Sequence, residues 1–145
     1  GIAWLDQDAL LAVERCKKNV DHLIVMVNWG IEYVAQPRDI EKKWAQQLIL
    51  HGADVILGDQ AHWVQTHSFI QDSFVAYGLG NYIFDQHWSQ KTTEGIILKL
   101  VYYESKLAFV DARPIKLKPD GTVHELLSDD ERYSHVIDAF WGNNN

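Results

Sequence analysis

Leu23-Ile24-Val25-Met26-Val27 runs without a break into Asn28-Trp29-Gly30-Ile31-Glu32-Tyr33, and Asp54-Val55-Ile56-Leu57 runs into Gly58-Asp59-Gln60-Ala61-His62-Trp63. Each apolar run has the length and unbroken hydrophobicity of a strand covered on both faces. Between them, Ile40, Trp44 and Leu48 recur at helical spacing over residues 38–50, after Pro37 and before His51-Gly52, a usual C-terminal stop. Strand, helix, strand in that order predicts neighbouring parallel strands joined by a right-handed crossover. Polar residues just past the carboxyl ends of such strands stand where α/β domains bind ligands. A third run, Gly78-Leu79-Gly80-Asn81-Tyr82-Ile83-Phe84-Asp85, repeats the pattern. The polar ends of these runs are therefore expected to converge on one edge of the sheet.

Upstream, residues 6–18 read as a helix with acidic residues in the first turn and basic ones in the last, which suits its dipole. Leu10, Val13 and Cys16 share its apolar face, so Cys16 is expected to pack. Downstream, residues 53–57 are the second buried strand, and the character then changes. Residues 64–70, 74–79, 95–103 and 107–118 look like strands with short polar breaks, Glu104-Ser105-Lys106 among them, and this half is expected to be antiparallel. Residues 129–140 form a candidate last helix, and 143–145 a disordered tail. The fold class is α/β grading into α+β: a parallel β-α-β start followed by antiparallel strands, in one domain over residues 1–142.

A chain of 145 residues can bury a real core, and 47% apolar with 23% charged residues is ordinary for a globular domain. The net charge of −7 argues against nucleic acid as a partner, because a phosphate backbone needs a concentrated basic face. Arg15, Lys17 and Lys18 read as the solvated end of the first helix. The single Cys16 excludes an internal disulfide and a cysteine-based zinc cluster. No apolar run approaches the roughly 18 residues of a membrane span, and neither a signal peptide nor an anchor is visible. The chain starts Gly1-Ile2-Ala3-Trp4 without an initiator methionine, which reads as a cut inside a longer protein.

His62 is the leading chemical candidate, because imidazole is both a common metal ligand and a general acid or base near neutral pH. A lone loop histidine is also an ordinary packing residue, and its neighbours raise the functional reading. Asn28 and Gln60 occupy the matching strand ends, with amide oxygens for a cation and amide donors for an anion. Glu32 and Asp59 add carboxylates within reach. Asn81 and Asp85 flank the turn at Gly78 and Gly80, where the alternative is capping of loop amides. Trp29, Trp63 and Trp88 could stack on a sugar or polymer, or simply pack. His22, His51, His124 and His135 have no ligand spacing and read as surface residues, whereas His67 and His87 stay open. Dinucleotide, P-loop, serine-elbow and H-E-x-x-H signatures are absent.

These runs resemble one family, the bacterial capsule-synthesis (CapA-type) proteins of poly-gamma-glutamate biosynthesis, built on the calcineurin-like metallophosphoesterase fold. That family's pattern runs His-Trp-Gly-x-Glu-Tyr, then Gly-Ala-Asp-x-(Val/Ile)-(Ile/Leu)-Gly-x-His-Pro-His, then Ser-Leu-Gly-Asn-Phe-(Val/Ile)-Phe-Asp-Gln. Here the three read as residues 28–33, 52–62 and 78–86, and the likeness covers about two-thirds of the chain, residues 21–114. It implies the C-terminal portion of a β-sandwich flanked by helices, whose N-terminal half would supply further strands. It also implies a two-metal centre served by the first motif's histidine and both histidines of the second. This chain has Asn28 and Gln60 at two of those positions and keeps His62. Carboxamides are weaker ligands than imidazole for a transition metal.

The expectation is thus a degenerate site, with His62 and Asn28 in the catalytic positions and His62, Asn28 and Gln60 as the metal set. Glu32, Asp59, Gln60, Asn81 and Asp85 would be ligand-binding. No cofactor is expected for this segment alone, and a divalent metal (Mn, Zn, Fe or Mg) for a full-length protein. The resemblance implies work on an anionic surface polymer, or with its synthesis machinery, on the extracytoplasmic side of a bacterial envelope. The acidic balance fits a polyanion poorly unless a local patch or a metal mediates. A metal-dependent phosphoesterase completed by upstream ligands is the alternative, and a purely structural module is a third reading. The strand at residues 23–27 is expected to expose an apolar edge that pairs with a missing N-terminal half or a second copy.

Overall fold

The computed structural model describes residues 3–142. Helix α1 spans Gln7–Lys17, and its first amides are capped by the Asp6 carboxylate, which accepts from Asp8 N at 3.0 Å and Ala9 N at 3.1 Å. Strand β1 (Ile24–Trp29), helix α2 (Asp39–Leu50) and strand β2 (Val55–Gln60) follow as the expected crossover, with β1 and β2 parallel from Ile24↔Val55 to Trp29↔Gln60. The short strands β3 (His67–Ile70) and β4 (Ser73–Ala76) complete a sheet ordered β1-β2-β4-β3. Strands β5 (Glu94–Tyr103), β6 (Lys106–Leu117) and β7 (Val123–Glu125) form a second, antiparallel sheet, and α3 (Glu131–Trp141) ends the fold.

Alternation along β2 and β4 divides the interior. Ile56 and Val75 point to a core shared with Leu10 and Val13 of α1 and Ala45, Leu48 and Ile49 of α2. Val55, Phe74 and Ala76 point the other way, to a core made with Ile96, Val110, Leu126 and the α3 residues Val136 and Phe140. The first sheet is thus covered by helices on one face, and its β2–β4 part by the second sheet with α3 on the other.

Several expectations are corrected. β4 lies parallel to β2 and antiparallel only to β3, so the downstream half is not uniformly antiparallel. Strand β1 is not covered on both faces: Val25 and Val27 face the helices, whereas Ile24 is 44% and Met26 79% exposed. Its outer edge carries no strand partner among the described residues. The apolar stripe of α2 is rotated, because Ile40 is exposed and Glu41 buried, where it accepts hydrogen bonds from the Arg38 backbone N–H (2.7 Å) and Arg38 Nε (2.9 Å). Cys16 is exposed rather than packed. The tail at 143–145 lies outside the described residues.

Candidate functional site

The loops after β1 and β2 and the segment after β4 meet at the carboxyl end of the first sheet. Tyr33 N–H donates to Ala61 O at 2.8 Å, and Gln65, itself buried, donates from Nε2 to Val34 O at 2.7 Å, which ties the first loop to the second. Gly58 makes the approach possible. An added Cβ there would stand 2.0 Å from Tyr77 O and 2.3 Å from Trp29 Nε1, and that indole donates to Tyr77 O at 2.9 Å. The third segment is held by a bridge between Gly80 and Gly95 and by Asn81 N–H donating to Glu94 O at 3.2 Å. Gly80 has φ +72°, and a Cβ would lie 2.5 Å from Glu94 O.

His62 is the hub. Its Nδ1 lies 2.9 Å from Asn81 Oδ1 and its Nε2 3.9 Å from Glu32 Oε1. Gln60 Nε2 donates to the same Glu32 oxygen at 3.1 Å. Asn81, only 5% exposed, donates from Nδ2 to Gln86 Oε1 at 3.2 Å and to Thr92 O at 2.9 Å. Gln86 in turn donates from Nε2 to the Tyr33 hydroxyl at 3.3 Å. Burial, then the charge of Glu32, raises the Tyr33 phenol above its ordinary value, so it stays protonated at neutral pH. The Tyr33 ring lies 5.9 Å from the His62 ring and 6.2 Å from Trp88, and Phe84 closes the other side of His62 at 5.1 Å. Tyr33, Gln60 and His62 all have left-handed backbone, φ 63°, 87° and 57°, a conformation that costs non-glycine residues energy and gathers at functional sites.

Of the residues expected here, His62, Glu32, Gln60 and Asn81 are brought together. Asp59 lies beside them, but its carboxylate accepts from the Gln60 backbone N–H at 2.8 Å. Asn28, exposed, stands opposite Asp59 in the β1–β2 register. Asp85 and His87 are exposed and line a separate open cleft of about 690 Å³ with Ile83, Phe84 and residues 117–121. The tryptophans divide: Trp29 is a buried structural donor, Trp63 lies under Lys91 Nζ at 4.4 Å, and Trp88, mostly exposed, stands edge-on to Tyr33. His67 is structural, bonded to Phe140 O at 2.9 Å and stacked on Phe74 and Phe140. His22 is half-buried against Tyr102, not a surface residue. Sequence reasoning passed over Tyr33, Gln86 and Thr92. The first two lie inside the quoted motifs, one residue past Glu32 and Asp85, and that adjacency was the available signal.

The fold is that of an α/β domain, and an imidazole between a carboxamide and a carboxylate stands at the carboxyl ends of its parallel strands, where such domains bind ligands. Residues 3–86 match the family described as bacterial capsule synthesis protein PGA_cap. The chain belongs to that family. It is 28% identical over 102 residues to the capsule biosynthesis protein CapA of Bacillus anthracis, covering 70% of this chain and 25% of that protein. It is 29% identical over 85 residues to the PGA biosynthesis protein CapA of Bacillus subtilis, covering 59% and 22% respectively. The chain therefore spans about a quarter of the length of these curated relatives.

Proposed function

We propose that this CapA-like domain acts in the biosynthesis or export of a bacterial capsular polymer of the poly-gamma-glutamate type, outside the cytoplasmic membrane, through a degenerate metal site centred on His62. The kinship with capsule biosynthesis proteins supports the polymer class. Among the described residues no helix is long and apolar enough to cross a membrane. The polymer or its synthesis machinery is the proposed partner.

One observation carries the degenerate reading: His62 brings the only imidazole among the residues joined at this site, and its Nδ1 is already engaged by Asn81. The other donors are the single carboxylate of Glu32 and the carboxamide of Gln60, which turns its NH2 towards Glu32. Two-metal hydrolysis needs a pair of cations about 4 Å apart, each ringed by strong ligands. This donor set does not fit such a pair, and no step is derived through one.

In a strain that makes the polymer with this protein, His62→Ala is expected to lower surface polymer at least about tenfold while the protein level holds, as the loss of a polar ligand contact predicts. Purified wild-type protein is expected to leave phosphate monoesters and diesters intact with Mn2+ or Zn2+ present. Metal-dependent turnover abolished by His62→Ala would instead establish the phosphoesterase alternative. Unchanged polymer in the variant would overturn the proposal.

A further inference from the structure

We propose that Asn81 is a positioning residue that sets which nitrogen of His62 meets the ligand. Thr92 O is a carbonyl and only accepts, so the Asn81 group 2.9 Å from it is the NH2. The same NH2 donates to Gln86 Oε1, whose own NH2 is committed to the Tyr33 hydroxyl. Asn81 must then turn its oxygen to His62, and an oxygen at 2.9 Å from Nδ1 requires that Nδ1 carries the proton. In the neutral ring Nε2 is left as a bare acceptor.

That choice of tautomer reaches the ligand. Nε2 faces Glu32 Oε1 across 3.9 Å, and the carboxylate oxygen also only accepts. Two acceptors confronting each other in a half-buried site are satisfied together by a group that brings N–H or O–H donors or positive charge. A bare carboxylate meets repulsion from both. The group recognised at His62 is accordingly a donor, such as an amide N–H, a hydroxyl or an ammonium, rather than the acidic side group of a polyanion. This inference concerns the same site but not the identity of the polymer, so it stands or falls separately from the capsule phenotype.

The test is the tautomer itself, read by long-range proton–nitrogen NMR of 15N-histidine-labelled protein at about pH 8.5, two units above the ordinary histidine value. In the wild type, the Nδ1–H form of His62 is expected to exceed the Nε2–H form by about tenfold or more, because reversal would leave a buried oxygen facing a lone pair. A predominant Nε2–H signal, or an even mixture, overturns the proposal. Asn81→Asp separates positioning from scaffolding. It can still accept from Nδ1 but cannot donate to Thr92 O, so the protein should lose stability while the tautomer stays. An Asp variant that switches to Nε2–H would mean that Asn81 acts only as scaffold and would sink the assignment. Asn81→Leu, where it folds, should lose the Nδ1–H preference, and retention there would equally overturn it.

Discussion

A methyl group at position 58 has nowhere to go, since it would meet the Tyr77 carbonyl at 2.0 Å and the Trp29 indole nitrogen at 2.3 Å. Gly58→Ala is expected to destabilise the fold by about 3 kcal/mol, combining overpacking with loss of the Trp29–Tyr77 hydrogen bond. Urea unfolding should register this as a lower midpoint at unchanged slope. A variant within 0.5 kcal/mol of the wild type, taken as about the size of an ordinary surface change, would mean that the strand ends are looser than they look. At this scale the convergence of His62, Glu32, Gln60 and Asn81 was legible in the sequence, because strand-end placement depends only on where the apolar runs stop. It left Trp29 open between stacking on a ligand and packing, and the structure shows packing. An aromatic next to a glycine looks the same whether it lines a site or fills the space the glycine leaves.

Helix α3 is fastened at its first turn. Asp130 caps this helix by accepting from Arg132 N–H at 3.0 Å, and pins it to β6 by accepting from Lys116 Nζ at 2.7 Å. The Lys116 bond first, then the Arg132 amide, hold the Asp130 carboxyl below its ordinary value. A carboxyl depressed in the folded state adds stability above its unfolded value, about 3.9, and loses it as the pH falls through the lower folded value. Asp130→Asn should therefore melt earlier than the wild type at pH 7, with the gap closing as the pH falls below the carboxyl's ordinary value. A gap that persists undiminished in acid would assign the effect to packing rather than charge.

The same scale explains the misread strands. Ile-Val-Met-Val spells a strand but does not say what covers its second face, so the exposure of Ile24 and Met26 is not legible in it. The parallel pairing of β4 follows from the turn at Gln71 (φ 55°) and Asp72 that folds β3 back on it, and alternation within a short strand carries no such information. Three-residue β7 is too short to leave a periodic signal.

For the molecule as a whole, β1 is the exposed flank. A free strand edge beside Met26 and Ile24 is a template for another strand, from a preceding segment of a longer chain or from a second copy. We expect this polypeptide alone to self-associate as concentration rises, and Met26→Lys to shift it towards monomer without altering its circular dichroism. Sedimentation at several concentrations checks this, and a wild type that stays monomeric throughout would discount the edge. The two interiors on either side of β2 carry a different implication. Val55 and Ile56 are consecutive residues sealed in opposite interiors, so displacing that strand opens both. The helical layer and the second sheet are thereby expected to unfold together, since each rests on one face of the same strand.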